Sequence, residues 1–147
     1  MAFDNEDTKF WKNLFKRNKI SKEKEKKISE ILELVEMTKH AGKLGKELSY
    51  GQKRLIEIAR AILKPHHLLM LDEPVAGVNP KLRRDISKIL LNLKRNGETI
   101  LLIEHDMNFA LNLSDRVIVL DEGKIIAEGT PKEIKKNKKV LEAYLGD

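Results

Sequence analysis

Apolar positions along the chain follow two different rhythms. From Ser21, a stretch rich in lysine and glutamate places Ile28, Ile31, Leu32 and Val35 at the i, i+3, i+4, i+7 spacing of one buried helical face. Gly42 and Gly45 interrupt that rhythm, and it resumes in LSYGQKRLIEIARAILKP, residues 48–65, through Leu55, Ile58, Ala59 and Ile62. Ser49 with Gln52 three residues later is a capping-box pattern that starts a helix, and Pro65 enforces its end. The second rhythm is an unbroken apolar run. Residues 67–71 (HLLML) and 99–103 (TILLI) are short runs of this kind, which suit strands covered on both faces.

Between the two runs, Asn79 and Pro80 supply an N-cap and a first-turn proline for the helix KLRRDISKILLNLKRN, which Gly97 closes. Two such strands joined by one long helix predict a βαβ unit, with the strands parallel and their carboxyl ends on one rim. That rim collects Asp72 and Glu73 from the first strand and Glu104, His105 and Asp106 from the second. Ligands of open α/β sheets bind at this end of the strands. Downstream, a short helix is predicted near residues 107–113, and RVIVL and KIIAE flank Asp121, Glu122 and Gly123 as a hairpin with a tight turn. Thr130, Pro131 and Glu133 repeat the capping signature, residues 140–145 form a closing helix, and no internal repeat is present.

Composition narrows the class. With 147 residues, 41% of them hydrophobic, the chain suits one ordinary core. Zero cysteines exclude a disulfide framework and a thiolate zinc site, and agree with a reducing compartment. No apolar run approaches the roughly 20 residues that span a bilayer, and the first residues lack a basic start followed by an apolar segment, so neither insertion nor secretion is expected. The net charge of +6 is local: Lys9 to Lys27 hold nine basic and two acidic residues, which leaves the remainder close to neutral. A lysine-rich helical face reads first as solvated surface, and no nucleic-acid partner is expected. Phe3, Phe10, Trp11 and Phe15 lie beside that patch and suit base stacking or contact with another subunit.

The polar clusters carry the candidate chemistry. A carboxylate just past a buried strand can hold a hydrated Mg²⁺, and its neighbour can polarise a water that attacks a phosphoryl group. Asp72 suits the first role and Glu73 the second, although two acidic residues at a plain strand end read equally well. Ser49 and Gly51 open a helix with free N–H groups, a hydroxyl and close backbone access, which is an anion site or an ordinary cap. His105 is placed to meet a terminal phosphate or the attacking water, or simply marks a strand end.

Taken in order, LSYGQ at 48–52, LLMLDEP at 68–74, VAGVNP at 75–80 and LLIEHD at 101–106 resemble the signature motif, Walker B motif, D-loop and switch histidine of ABC-type ATPases. Within that family, Tyr50 in the signature, AGVNP, IEHDM and the ending AYLGD are most similar to the ATP-binding subunits of branched-chain amino-acid importers. The resemblance covers residues 46–147, and the preceding helix looks like part of the family's helical subdomain. It implies an α/β fold: a partial ABC-type nucleotide-binding domain with a parallel βαβ core and a C-terminal hairpin plus helix. Residues 1–64 would be a helical-subdomain segment including the signature helix, and 65–147 the α/β half of the catalytic core. It further implies ATP and Mg²⁺ as cofactors, with Asp72 the Mg²⁺-associated carboxylate, Glu73 the catalytic base and His105 the γ-phosphate switch. Ser49, Gly51 and Gln52 would meet the γ-phosphate of a nucleotide held on a second ABC ATPase subunit. Membrane permease subunits would hold the assembly at the cytoplasmic face of the cell membrane.

Two departures limit the resemblance. Asn79 stands where many family members have an aspartate, which bears on signalling between subunits. More consequentially, GxxxxGK(S/T), the loop whose backbone N–H groups cradle the β-phosphate, does not occur in the sequence. Neither Gly42-Lys43 nor Gly45-Lys46 has the second glycine, the spacing or the hydroxyl residue. The chain therefore reads as the C-terminal half of such an ATPase, inactive alone and completed by an N-terminal half on a separate chain or missing from this one. The alternative is a non-hydrolysing module that docks on a permease or a complete subunit; a basic nucleic-acid-binding domain is the third reading.

Overall fold

In the computed structural model, which describes residues 21–144, six helices and four strands run in the order α1 (Lys22–Leu34), α2 (Tyr50–Leu63), β1 (Leu69–Asp72), α3 (Pro80–Arg95), β2 (Ile100–Ile103), α4 (Met107–Leu113), β3 (Val117–Asp121), β4 (Lys124–Gly129), α5 (Pro131–Ile134) and α6 (Lys138–Tyr144). Two short 3₁₀ turns, Thr38–His40 and Gly45–Glu47, fill the segment around Gly42 and Gly45. Most helix starts are specified locally. Ser21 accepts from Lys24 N, Ser49 from Gln52 N, Asn79 from Leu82 N, and Thr130 from Glu133 N. Such caps satisfy N–H groups that the first helical turn leaves without partners. Gly97, just past α3, takes φ +89°, a conformation that favours glycine.

β1 and β2 pair in parallel with Leu69 opposite Ile100 and Asp72 opposite Ile103, and α3 is the crossover between them. β3 and β4 form a separate antiparallel hairpin. Its two-residue turn, Glu122-Gly123, has positive φ at both positions (45° and 75°), the backbone twist that matches a type I′ connection.

One hydrophobic cluster joins Ile31 and Leu32 of α1, Leu55, Ile58 and Ile62 of α2, and Ile86, Ile89, Leu90 and Leu93 of α3 to Leu69 and Leu71 of β1. Phe109 and Leu113 of α4 complete it, while Leu111 of the same helix turns into a second cluster with Val119, Ala127, Ile134 and Val140. α4 thus fastens the hairpin end to the main core.

Burial of the parallel pair corrects the two-sided expectation. Leu69 and Leu71 are buried, but Met70 is 63% and Ile103 54% exposed, and Leu68 and Leu101 are exposed beside them. The helices cover only one face, so alternate residues of the same apolar run meet core and solvent. Phe3, Phe10, Trp11 and Phe15 lie outside the described residues, as does Leu145 of the closing helix. No helix among the described residues is long and apolar enough to cross a membrane.

Candidate functional site

The rim forms where β1 and β2 end together. The ladder continues one residue past β1, since Glu73 N donates to Ile103 O at 2.9 Å. The chain then turns sharply: Glu73 has φ +44°, in the left-handed region that a non-glycine side chain rarely occupies, and Pro74 and Val75 are buried. Backbone strain of this kind is concentrated where the surroundings over-determine the chain. The turn directs the Glu73 carboxylate to His105, whose Nδ1 lies 3.1 Å from Oε1. An ionised carboxylate only accepts, so Nδ1 carries the proton in this pair and Nε2 is left for a ligand. Both side chains are open to solvent. From the adjacent position, Glu104 Oε1 accepts from Val75 N at 3.3 Å and further fixes the turn, while its Oε2 is enclosed without a hydrogen-bond partner.

Asp72 projects at the same end of β1, and no hydrogen bond or ion pair among the described residues engages its carboxylate. No cluster of three or more histidine or acidic side chains able to hold a metal exists among the described residues. A free single carboxylate nevertheless fits Mg²⁺ that arrives with its phosphates, because this ion keeps waters and phosphate oxygens and needs only one or two protein carboxylates.

The start of α2 is a distinct second part. Ser49 Oγ accepts from Gln52 N at 3.3 Å and Gln52 Oε1 accepts from Ser49 N at 2.9 Å, which closes the capping box. Gln52 Nε2 lies 2.9 Å from His40 Nε2. Because Oε1 must face the Ser49 N–H, the amide presents its NH₂ to the imidazole, and His40 Nε2 is the acceptor. The Gln52 side chain thereby bridges the cap and His40, beside the Ser49 hydroxyl and the backbone N–H groups of the helix start. Gly51 packs closely against α3: a Cβ there would sit 2.6 Å from Leu82 Cδ2, so that side chain would have to shift. Tyr50 OH donates to Ala76 O at 3.4 Å, so the helix start rests against the loop that follows β1.

Of the residues predicted from sequence, Glu73, His105 and Asp72 share the rim, and Ser49, Gly51 and Gln52 share the α2 start. Among the described residues no hydrogen bond joins the Ser49 hydroxyl to either rim carboxylate. Beside the Tyr50 contact, Arg54, which sequence reasoning passed over, links the two parts. Its guanidinium reaches from α2 to the carbonyls of Asp72, Glu73 and Pro74. A signal was available: Arg54 precedes Ile58 and Ile62 at four-residue intervals, which puts a cation on the helix stripe that faces the core.

The parallel strand pair with its acidic rim, the histidine on the neighbouring strand and the capped helix start fit the resemblance to ABC-type ATPases that the motifs carry. The chain belongs to the ABC transporter family: the family's sequence model, described as "ABC transporter", matches residues 2–76, and one described as "Branched-chain amino acid ATP-binding cassette transporter" matches residues 124–147. It is similar to the high-affinity branched-chain amino acid transport ATP-binding protein LivG of Salmonella typhimurium, 43% identical over 79% of this chain and 46% of that protein. It is also similar to a probable LivG of Methanocaldococcus jannaschii, 40% identical over 92% of this chain and 55% of that protein. The crystal structure of the ADP conformation of an ATP-binding cassette of an ABC transporter superposes with a TM-score of 0.74 at 38% identity, covering 91% of this chain and 55% of that one. The chain spans about half the length of the curated relatives it matches.

Proposed function

We propose that these residues are the C-terminal half of the ATP-hydrolysing subunit of an importer for branched-chain amino acids. Residues 1–64 belong to its helical subdomain and 65–147 to its catalytic core, and the phosphate loop is supplied by a segment outside the 147 residues. The observation that carries this reading is the Glu73–His105 pair at 3.1 Å on the rim of β1 and β2, beside the free Asp72 carboxylate. Glu73 takes the proton of the attacking water, and His105, oriented through Nδ1 by Glu73, presents Nε2 to the γ-phosphate. Asp72 would hold Mg²⁺, which when bound offsets the charge on the phosphate oxygens. Among the described residues no hydrogen bond ties the Ser49 hydroxyl to the rim carboxylates, which suits contact of Ser49 and Gly51 with a nucleotide carried by a second ATPase subunit. Gln52, held by the cap and His40, would share that contact. Permease subunits would hold the pair of ATPase subunits at the cytoplasmic face of the membrane.

The bare apolar face of β1 and β2 supports the half-domain reading, since a sheet with an open edge and an uncovered apolar face needs further strands. In the assembly completed by a phosphate-loop segment, Glu73→Gln is expected to abolish turnover while nucleotide-dependent association of the subunits persists, because the base is lost and the phosphate contacts remain. Steady-state phosphate release together with sedimentation in ATP measures both. Full turnover in that variant would return Glu73 to a strand-end carboxylate; nucleotide-dependent association of the unmodified assembly without any turnover would favour the non-hydrolysing module.

A further inference from the structure

Three consecutive carbonyls, those of Asp72, Glu73 and Pro74, converge on one side chain from a different element. Arg54 Nη2 donates to Glu73 O at 2.6 Å and to Asp72 O at 3.3 Å, and Nε donates to Pro74 O at 3.0 Å. Nη1 donates to Glu57 Oε2 at 2.8 Å, one turn further along α2, so the guanidinium is oriented from behind while it holds the loop in front. The side chain is largely covered, at 24% exposure. This use is specific to arginine: a planar fork of five N–H groups meets several acceptors at fixed angles, whereas an ammonium on a flexible stem cannot reproduce them.

The carbonyls it gathers belong to the residue with φ +44° and to its two neighbours. Side-chain direction at Glu73 follows from the backbone there, so whatever fixes these carbonyls also fixes where the carboxylate meets His105. The contact from Tyr50 OH to Ala76 O braces the loop that follows, from the first turn of the same helix. We propose that Arg54 is a positioning residue for the hydrolytic step: it holds the Asp72–Glu73–Pro74 backbone in the turn that aims the Glu73 carboxylate, and it ties that aim to the capped start of α2. This rests on the reading of Glu73 as the base.

The test uses Arg54→Lys, which keeps the charge, and Arg54→Gln in the assembly completed by a phosphate-loop segment. Misplacing a reacting group by about 1 Å costs on the order of 100-fold. Both variants are therefore expected to lower kcat by about tenfold or more, with KM for ATP changed less than about twofold, because phosphate binding lies elsewhere. Glu57→Gln, which weakens only the rear support, is expected to give a smaller fall in kcat with the same unchanged KM. A merely structural role would lower the melting temperature without that split, and unchanged kcat in Arg54→Lys alongside a dead Glu73→Gln would overturn the proposal while leaving Glu73 as the base. Full turnover in Glu73→Gln is the separate result that removes the base. A crystal structure of the Arg54→Lys chain supplies a readout independent of turnover: the Glu73–His105 contact is expected to open, and its retention with φ still positive at Glu73 would overturn the proposal.

Discussion

The two faces of the β1–β2 pair are built from the same kinds of residue and meet opposite surroundings. On the inner face Leu69 and Leu71 belong to one buried cluster with Ile58, Ile62, Ile86 and Leu90, which draws on α1, α2 and α3. On the outer face Leu68, Met70, Leu101 and Ile103 are equally apolar and exposed, with no such cover among the described residues. A strand designed for one-sided burial alternates apolar and polar residues, which neither of these does. The composition of the outer face therefore anticipates a partner surface.

The largest expected effect breaks the inner face. Ile86 is fully enclosed at the centre of α3, so Ile86→Ala leaves a cavity among residues from all three covering helices. A loss of about 2–5 kcal/mol of stability is expected from a substitution of this kind. Urea unfolding of the chain measures it, and a cost near zero would mean that the inner core is already loose.

A smaller effect on stability but a sharper one on partners is expected from the outer face. Met70→Thr and Ile103→Thr replace exposed side chains by strand-compatible polar ones, and each should change stability by less than about 0.5 kcal/mol. Self-association of the chain should fall in sedimentation across a concentration series, and capture of the phosphate-loop segment should weaken with it. If both variants bind that segment as the parent does, the outer face is not the surface that receives it.

Local signals were read correctly wherever the chain itself enforces them. The Ser49–Gln52 capping box, Asn79 with Pro80, and Glu122-Gly123 in the hairpin each act within about four residues, so sequence spacing contains the whole interaction. The rim followed too, because one helix between two apolar runs leaves few topologies. One-sided burial was not legible: an unbroken apolar run reads the same whether its second face is covered by this chain or by another. Nor was the clamp by Arg54, since the carbonyls of Asp72, Glu73 and Pro74 become acceptors for it only after the turn at Glu73 has formed, 18 to 20 residues away in sequence. The contact of Gln52 with His40 was hidden for the same reason, the two being 12 positions apart.

The smallest expected effect sharpens the comparison from the covered side of the hairpin, where α5 lays Ile134 into the second cluster. Glu133 Oε2 accepts from Thr130 N at 2.7 Å and from Thr130 Oγ1 at 2.8 Å. The backbone bond first, and the hydroxyl second, hold the Glu133 carboxyl below the usual glutamate value. A carboxyl whose pKa is lower in the folded chain than in the unfolded one contributes stability that is complete above the unfolded value and is lost as pH falls through the folded one. The group is fully exposed, so water screens the interaction and the contribution is small. Glu133→Gln retains an oxygen for the cap and removes only the charge. Thermal melts of the parent and the variant are expected to differ most near neutral pH and to converge as the pH drops below the ordinary glutamate range. A difference that stays constant across that range would assign the effect to the shape of the cap, and the charge on Glu133 would then contribute nothing to holding α5 against the hairpin.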